Sequence, residues 1–206
     1  MQIQLFSITL IIIIINCVVS YLALNNPTVM NKLILTPYWV ERKNEYYRFI
    51  TSGFIHADYK HLIFNMISLY FFGYVVEAWL GTSLYILLYL IAIVISDIPT
   101  YLKYKNNSNY ASLGASGAVS AIIFASILLY PINLIFIYFV PMPAFVFGIL
   151  YLAYSYYMDK QNRDHINHSA HFYGAVVGIA FIAILYPSTV PAMFETIMGG
   201  IQGLLR

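Results

Sequence analysis

Long stretches without charged side chains constrain the fold of this chain more than any other feature. Six segments are apolar enough to be membrane-spanning helices, each of which needs roughly 20 apolar residues. The segments are 4–24, 61–80, 82–102, 115–130, a part of 132–158, and 168–186. Hydrophobic residues make up 61% of the 206 residues and charged residues only 9%, whereas a soluble domain has about 25% charged residues. We therefore predict an all-α polytopic membrane protein, built as a six-transmembrane-helix bundle.

Prolines and polar residues set the expected ends of these segments. The fourth segment is short for a span, and Pro131 follows it directly. Pro141 and Pro143 divide the fifth segment, so its first part is expected to be re-entrant or extended. After Pro187 ends the sixth segment, residues 191–206 carry apolar side chains at helical intervals, although two adjacent glycines interrupt them. This pattern predicts a short amphipathic helix on the membrane surface.

The charge and the cysteine content exclude several classes of protein. The formal net charge is only +2 and the chain has no long basic run, so nucleic acid is not an expected partner. Cys17 is the single cysteine, which excludes an internal disulfide. No lysine or arginine precedes the first apolar run, and that run is long enough to span a bilayer. The run is therefore expected to be a retained first helix rather than a signal peptide.

A serine between small residues opens the fourth segment. Gly114-Ala115-Ser116-Gly117 places a hydroxyl at the start of a helix, where free backbone amides could stabilise an oxyanion. The two glycines permit a tight turn and the close approach of a substrate backbone. Small residues also line ordinary contacts between membrane helices, so the motif taken alone favours a packing role.

A histidine opens the sixth segment in a similar way. His171 lies near the start of that helix, and an ionisable side chain within a span is costly and indicates a functional site by default. Gly174 and Gly178 follow on the same helix face and would allow close contact with another helix, such as the one that carries Ser116. The alternative is a structural histidine near the membrane interface. Both motifs together favour a serine hydrolase that acts inside the bilayer.

A third polar pair lies at the start of the second segment. His61 and Asn65 are four residues apart, which places them on one face of a helix. Both side chains can donate hydrogen bonds, as an oxyanion hole requires. The alternative role of this pair is hydrogen bonding between helices.

These three motifs together resemble the rhomboid family of intramembrane serine proteases. Their order, their spacing and the six-helix count all agree with that family. The resemblance implies that Ser116 is the nucleophile and His171 the general base. It further implies that the oxyanion hole consists of His61, Asn65 and the backbone amide of Ser116. It implies no metal and no organic cofactor.

The resemblance extends to structural elements. It divides the chain into a six-helix protease domain at 1–187 and a short amphipathic tail at 188–206. The residues that match the family's packing glycines are Gly114, Gly117, Gly174 and Gly178. Glu45-Tyr46-Tyr47-Arg48 is similar to a first-loop element of the family, with Tyr47 in place of tryptophan. His56 resembles a structural histidine under that loop.

One position departs from the family pattern. Many relatives have an aromatic residue four positions after the nucleophile, where it stacks on the catalytic histidine, whereas this chain has Ser120. Either another aromatic side chain supports His171, or the imidazole is held less tightly. The candidates for such support are Phe124, Phe172 and Tyr173.

Carboxylates and histidines leave two alternatives open. Asp97 and Asp164 are the nearest candidates to orient the general base, and neither is assigned because the family works with a serine–histidine dyad.

His165, His168 and His171 have a spacing that suits a metal ion. A histidine-rich metal-binding protein or metal-dependent hydrolase would, however, leave the serine and asparagine motifs unexplained. The other alternative is a non-catalytic rhomboid-like adaptor, although such relatives usually lack the serine or the histidine.

The resemblance also implies a substrate and a location. Substrates would be single-pass transmembrane proteins whose helices unwind near the cut. The protein would be a multi-pass protein of a bacterial-type cytoplasmic membrane. The positive-inside rule places the cationic loops after the first, third and fifth helices in the cytoplasm, whereas relatives usually place them on the far side, and we expect the family orientation. The sequence does not specify the oligomeric state.

Overall fold

The computed structural model describes residues 7–137, 139–161 and 166–204. These residues form ten α-helices, one 3-10 turn and one two-stranded antiparallel hairpin. The helices are α1 (Ile8–Asn25), α2 (Pro27–Leu33), α3 (Pro37–Arg42), α4 (Arg48–Thr51), α5 (Tyr59–Leu80), α6 (Thr82–Tyr104), α7 (Ser116–Leu129), α8 (Ala144–Gln161), α9 (His168–Leu185) and α10 (Thr189–Leu204). The strands are β1 (Leu134–Ile137) and β2 (Val140–Pro143). The all-α membrane bundle predicted from the sequence is confirmed.

The six predicted segments correspond to α1, α5, α6, α7, α8 and α9. Among the described helices, α1, α5, α6 and α9 are long and apolar enough to cross a membrane. Helix α7 has only 14 residues. Helix α8 continues to Gln161, past the end expected at Met158, and its last turn is polar. The first part of the fifth segment is the β1–β2 hairpin, so it is extended rather than re-entrant.

Helix α7 lies at the centre of the bundle. Every residue from Gly117 to Leu128 is buried, and the helix packs against α5, α6, α8 and α9. A helix that is buried on all sides has no polar face, which explains its uniformly apolar and small residues. Because protein surrounds it, its ends can lie at membrane depth where they face protein or a water-filled cavity.

Glycines bring the backbones of α7 and α9 into direct contact. A Cβ atom at Gly174 would lie 2.8 Å from the carbonyl carbon of Gly117. A Cβ atom at Gly178 would lie 2.8 Å from the Cα of Ala121. Both distances are shorter than van der Waals contact, so only glycine fits at these two positions, and the two helix axes approach as closely as small residues allow.

The long connection between α1 and α5 is folded rather than irregular. It contains the short helices α2, α3 and α4, which have too few residues to show a hydrophobic period. Arg48 holds them together, because its Nη1 donates to the carbonyl oxygens of Asn31 (2.8 Å) and Ile34 (2.6 Å). Its Nε donates to Oε2 of Glu45 (2.7 Å). The charged pair of the first-loop element thus serves to close this loop.

A buried carboxylate joins α5 to the start of α1. Glu77 accepts hydrogen bonds from the hydroxyls of Ser7 (2.6 Å) and Thr9 (2.7 Å). It also accepts from the backbone N–H groups of Ile8 (2.8 Å) and Thr9 (3.0 Å). These amides belong to the first turn of α1 and have no partner within their helix, so the negative charge caps the positive end of the helix dipole.

The charged loops meet at one end of the bundle. Nζ of Lys103, at the end of α6, lies 3.6 Å from Oδ1 of Asp159 on α8. Nη1 of Arg42, in the first loop, donates to the carbonyl oxygen of Lys105 (3.1 Å). The first, third and fifth connections therefore share one side, as six alternating helices require.

Candidate active site

Ser116 is the first residue of α7, and backbone contacts fix the turn before it. Gly114 has a φ of 121°, in the left-handed region that favours glycine, and its N–H donates to the carbonyl oxygen of Ser52 (2.9 Å). Ser112 pairs with Leu35 through two backbone hydrogen bonds of 2.9 and 3.0 Å. The first loop therefore holds the chain that leads into α7, where the first amides of the helix are free to bind an acceptor.

Two histidines pack under this turn. The ring of His61 lies against Gly114, where a Cβ atom would come within 2.9 Å of its Nε2. His56 is buried, its Nε2 accepts a hydrogen bond from the N–H of Ala115 (3.4 Å), and its Nδ1 lies 2.9 Å from Oγ of Ser20. The two rings meet edge to face with centroids 4.9 Å apart. Burial, and next the nearby His61, lower the pKa of His56 to about 3, so His56 is neutral at neutral pH.

Asn65 lies one turn after His61 on the same face of α5. Its side chain is buried, and its Nδ2 donates to the carbonyl oxygen of His61 (2.9 Å). A side-chain amide nitrogen carries two hydrogens. Its second N–H is therefore available for an acceptor in the neighbouring cavity.

Asn167 caps α9. Its Oδ1 accepts a hydrogen bond from the N–H of Ala170 (3.0 Å). Its Nδ2 donates to Oδ1 of Asp97 (3.3 Å) on α6 and to Oγ of Ser112 (2.9 Å) before α7. One side chain thus ties three parts of the site together. Sequence reasoning missed it, although an asparagine directly before a helix is a known capping signal.

The contact between α7 and α9 brings the N-terminal ends of these two helices, which carry Ser116 and His171, close together. Gly117 touches Gly174 at this crossing. Ser116 precedes Gly117 by one residue, and His171 precedes Gly174 by three residues, close to one helical turn. Both residues therefore lie at the same end of the contact between the helices.

Ser116, His171, His61 and Asn65 all line one cavity of about 1000 Å³. The same cavity reaches the charged-loop end of the bundle. Polar residues at that end include Asp58, Lys60, Asn107 and Asn109. A hydroxyl, an imidazole and two further hydrogen-bond donors around a cavity with a polar mouth are the groups that acyl transfer requires.

An aromatic ring from α8 lies beside His171. Tyr151 stacks on the imidazole, with ring centroids 6.2 Å apart and 25° between the planes. Its hydroxyl lies 2.6 Å from Oγ of Ser120 on α7. The sequence suggested three other aromatic residues for this support. One of them, Phe124, packs against Tyr151 with centroids 5.5 Å apart. No local signal distinguishes Tyr151 from the three other tyrosines of α8.

The acidic residues and the histidine cluster can be placed only in part. Asp97 is buried and accepts the hydrogen bond from Asn167 described above. Asp164 and His165 lie outside the described residues. Within residues 7–137, 139–161 and 166–204, no group of three or more histidine, cysteine, aspartate or glutamate side chains could hold a metal ion.

Comparison with known proteins identifies the family. Residues 43–188 match the family model described as the Rhomboid domain. The chain belongs to the rhomboid family. It is an integral membrane protein of that family, and residues of α5, α7, α8 and α9 line the cavity described above.

Rhomboid relatives of this chain come from bacteria and from eukaryotic organelles. Putative rhomboid protease YdcA of Bacillus subtilis (strain 168) is 36% identical over 75 residues, which cover 36% of this chain and 37% of the relative. RHOMBOID-like protein 12, mitochondrial, of Arabidopsis thaliana is 31% identical over 144 residues, which cover 62% of this chain and 43% of the relative. Presenilin-associated rhomboid-like protein, mitochondrial, of Homo sapiens is 31% identical over 138 residues, which cover 65% and 36%. The aligned part is less than half the length of each of these relatives.

Proposed function

We propose that this rhomboid protein is an intramembrane serine endopeptidase that cleaves transmembrane helices with a Ser116–His171 dyad. The observation that supports this most strongly is the single cavity lined by Ser116, His171, His61 and Asn65. The close α7–α9 crossing next to both dyad residues adds to this support. Two Bacillus relatives, whose names contain the words rhomboid protease, favour an enzyme.

The proposed reaction has two stages. Ser116 Oγ attacks the carbonyl carbon of the scissile peptide bond while His171 accepts the hydroxyl proton. The protonated His171 then gives that proton to the leaving amine, the C–N bond breaks, and an acyl-enzyme ester remains on Ser116. In the second stage, water loses a proton to His171 and attacks the ester carbon. The carboxylic product leaves and Ser116 regains its proton, so these steps need no metal and no organic cofactor.

The negative charge that develops on the carbonyl oxygen needs donors that are already in place. The N–H of Ser116 is a first-turn amide of α7, and it has no acceptor within the helix. Asn65 Nδ2 has a second hydrogen, and the ring of His61 lies against Gly114. We assign these three groups to the oxyanion hole, where the loss of one donor typically costs about 3 kcal/mol of transition-state stabilisation.

The proposal includes the substrate, the orientation and the division of the chain. Because the cavity lies within a membrane bundle and opens at its polar end, we propose single-pass transmembrane substrates whose helices unwind there. We propose the membrane topology that is usual in the family, with the charged loops on the non-cytoplasmic side of a bacterial-type cytoplasmic membrane. We also keep residues 1–187 as the protease domain and 188–206 as an amphipathic tail, whose helix α10 exposes Phe194 and Met198.

Two substitutions at the dyad test the reaction class. Ser116→Ala and His171→Ala should each abolish cleavage of a model single-pass substrate in proteoliposomes. Each should also abolish labelling by a fluorophosphonate probe, because the nucleophile needs its base. Ser126→Ala, a serine-to-alanine change deeper in α7, is the matched control and should keep both activities. Circular dichroism and the thermal unfolding midpoint in detergent verify that every variant is folded.

The other candidate classes give different results in this experiment. A non-catalytic adaptor would show neither cleavage nor labelling in the wild-type protein. A metal-dependent hydrolase would keep its activity in Ser116→Ala and lose it with a chelator. Either result would end the serine protease proposal.

A second prediction concerns the oxyanion hole. Asn65→Ala should reduce turnover by roughly 100-fold with little change in KM, because the donor acts on the transition state more than on the bound substrate. Asn106→Ala, at an exposed position of the loop between α6 and α7, is the control and should leave turnover unchanged. An unchanged rate in Asn65→Ala would remove this residue from the proposed oxyanion hole.

A further inference from the structure

Two residues outside the sequence motifs, Tyr151 and Ser120, connect α8 to both dyad helices. We propose that they act as one positioning unit: Ser120 holds the phenol of Tyr151, and the ring of Tyr151 holds the imidazole of His171 in the orientation that accepts the Ser116 proton. This inference rests on the proposed dyad. It assigns to a third helix a role that the sequence motifs place on α7 and α9 alone.

The contact of Tyr151 with His171 is between the two aromatic rings. An angle of 25° and a centroid separation of 6.2 Å describe a nearly parallel, offset pair. A nearly parallel ring beside the imidazole opposes tilting of its plane through ring contact alone. Tyr151 can therefore fix the orientation of His171 without using either of the nitrogens that exchange protons.

The contact of Tyr151 with Ser120 fixes the tyrosine in turn. The two hydroxyl oxygens are 2.6 Å apart, within the range of a short O–H···O hydrogen bond. Ser120 is only 1% exposed, so bulk water does not compete for this bond. Ser120 also lies four residues after Ser116, on the same face of α7. The hydrogen bond therefore positions the tyrosine relative to the helix that carries the nucleophile.

Apolar side chains also pack around the ring of Tyr151. Phe124 and Phe147 pack against its ring, with centroid separations of 5.5 and 5.6 Å. Few other side chains of α8 are buried: among the described residues of this helix, Ala144, Gly148 and Ser155 are the buried ones. A displacement of α8 away from the bundle would remove the ring from His171. The competence of the dyad is thus coupled to the position of α8.

Three substitutions separate the ring from the hydroxyl. Tyr151→Leu removes the ring and should lower kcat by roughly 30-fold with KM within about twofold, because a misaligned base slows the chemical step. Tyr151→Phe and Ser120→Ala each remove the hydrogen bond but keep the ring, and each should lower kcat by about threefold. The double variant should be no slower than either single variant, since both remove the same bond.

The rate of fluorophosphonate labelling at Ser116 is the second readout. It depends on the general base but does not require a transmembrane substrate to enter, so it should fall in parallel with kcat. Tyr157→Phe is the matched control, because Tyr157 is 58% exposed on the same helix. It should leave kcat and the labelling rate unchanged.

Each other outcome overturns the inference. A Tyr151→Leu variant with the same labelling rate and kcat as the wild type would show that the ring does not position the base. Cleavage by the wild-type protein would in that case still support the proposed function. A raised KM with unchanged kcat would assign Tyr151 to substrate entry or packing. If Tyr151→Leu does not fold, the variants Tyr151→Phe and Ser120→Ala decide. A double variant whose loss of kcat is the product of the two single losses would show that the two residues do not act through one hydrogen bond. An inactive, unlabelled wild-type protein would remove the proposed function and this inference together.

Discussion

Helix α7 meets its neighbours α9 and α8 in two different ways. Against α9, backbone touches backbone where Gly174 and Gly178 face Gly117 and Ala121. Backbone atoms cannot move away independently as the end of a side chain can. A Cβ atom added at either glycine would therefore have to displace a whole helix. The contact with α9 therefore fixes the positions of the two residues of the proposed dyad.

Against α8, the contact runs through the ends of side chains. The hydroxyls of Ser120 and Tyr151 meet there, and a Cβ atom at Gly148 would lie 3.3 Å from Cδ1 of Ile127 and 3.4 Å from Cε1 of Phe124. Side-chain ends can shift by a few tenths of an ångström at little cost. In the proposed site, the rigid contact with α9 would therefore set the position of the base, and the looser contact with α8 would set its orientation.

The largest expected effect is at the rigid contact. Gly178→Ala should lower the free energy of unfolding by about 3 kcal/mol, at the upper end of ordinary overpacking costs, because the new methyl group meets backbone atoms of Ala121. Gly199→Ala in α10 is the control, since a Cβ atom there has no neighbour within 4 Å. Denaturant titration in detergent measures both variants. A Gly178→Ala protein as stable as the wild type would contradict the rigid character of the α7–α9 contact.

The next largest expected effect is the loss of stability at acidic pH through His56, which packs at the N-terminal end of α7. Burial lowers the pKa of His56 to about 3, whereas an unfolded histidine titrates near 6.5. Between these values the unfolded chain binds more protons, so stability should fall as the pH drops below about 6.5 and level off near pH 3. The expected loss from this group between pH 7 and pH 5 is about 2 kcal/mol.

The comparison variant for the acid effect is His56→Gln. Its side chain can still accept a hydrogen bond from the N–H of Ala115 but does not titrate. The variant is expected to be less stable than the wild type at pH 7 and to have a flatter profile between pH 7 and pH 5. Identical pH profiles for the two proteins would show that His56 is not the group responsible.

The smallest effect is expected at the loose contact. Gly148→Ala in α8 should change the free energy of unfolding by no more than about 1 kcal/mol, because a gain in helix propensity offsets the small shift of Ile127 and Phe124. The same denaturant titration applies. A loss as large as that of Gly178→Ala would show that α8 is held as rigidly as α9, and the contrast between the two contacts would disappear.

Local patterns were enough for some of the site and not for the rest. The apolar segments predicted where the six main helices α1 and α5 to α9 lie, because a bilayer imposes length and composition on every span, although only four of the described helices are long and apolar enough to cross a membrane. The missing aromatic at Ser120 was visible as a departure from the family. Its partner Tyr151 was not, because α8 has four tyrosines and only the rotation of that helix against α7 decides which of them faces His171.

The first loop and the α9 cap show the same limit. Helices α2, α3 and α4 are too short to produce a period, and the contacts that hold them come from Arg48, which reaches two carbonyl groups far back in the chain. Asn167 directly precedes the sixth predicted segment, which begins at residue 168. It caps α9 and binds partners from α6 and from the segment before α7.

The amino-acid sequence was enough to predict a membrane protein, a helical bundle of the rhomboid type, and the serine and histidine of the candidate site. These properties follow from apolar length and from small-residue spacing, which are local. The tertiary structure was needed to show that protein encloses α7, that the four candidate site residues share one cavity, and that Tyr151 lies beside His171. These properties depend on which helix faces meet, and that is a matter of packing between residues far apart in the chain.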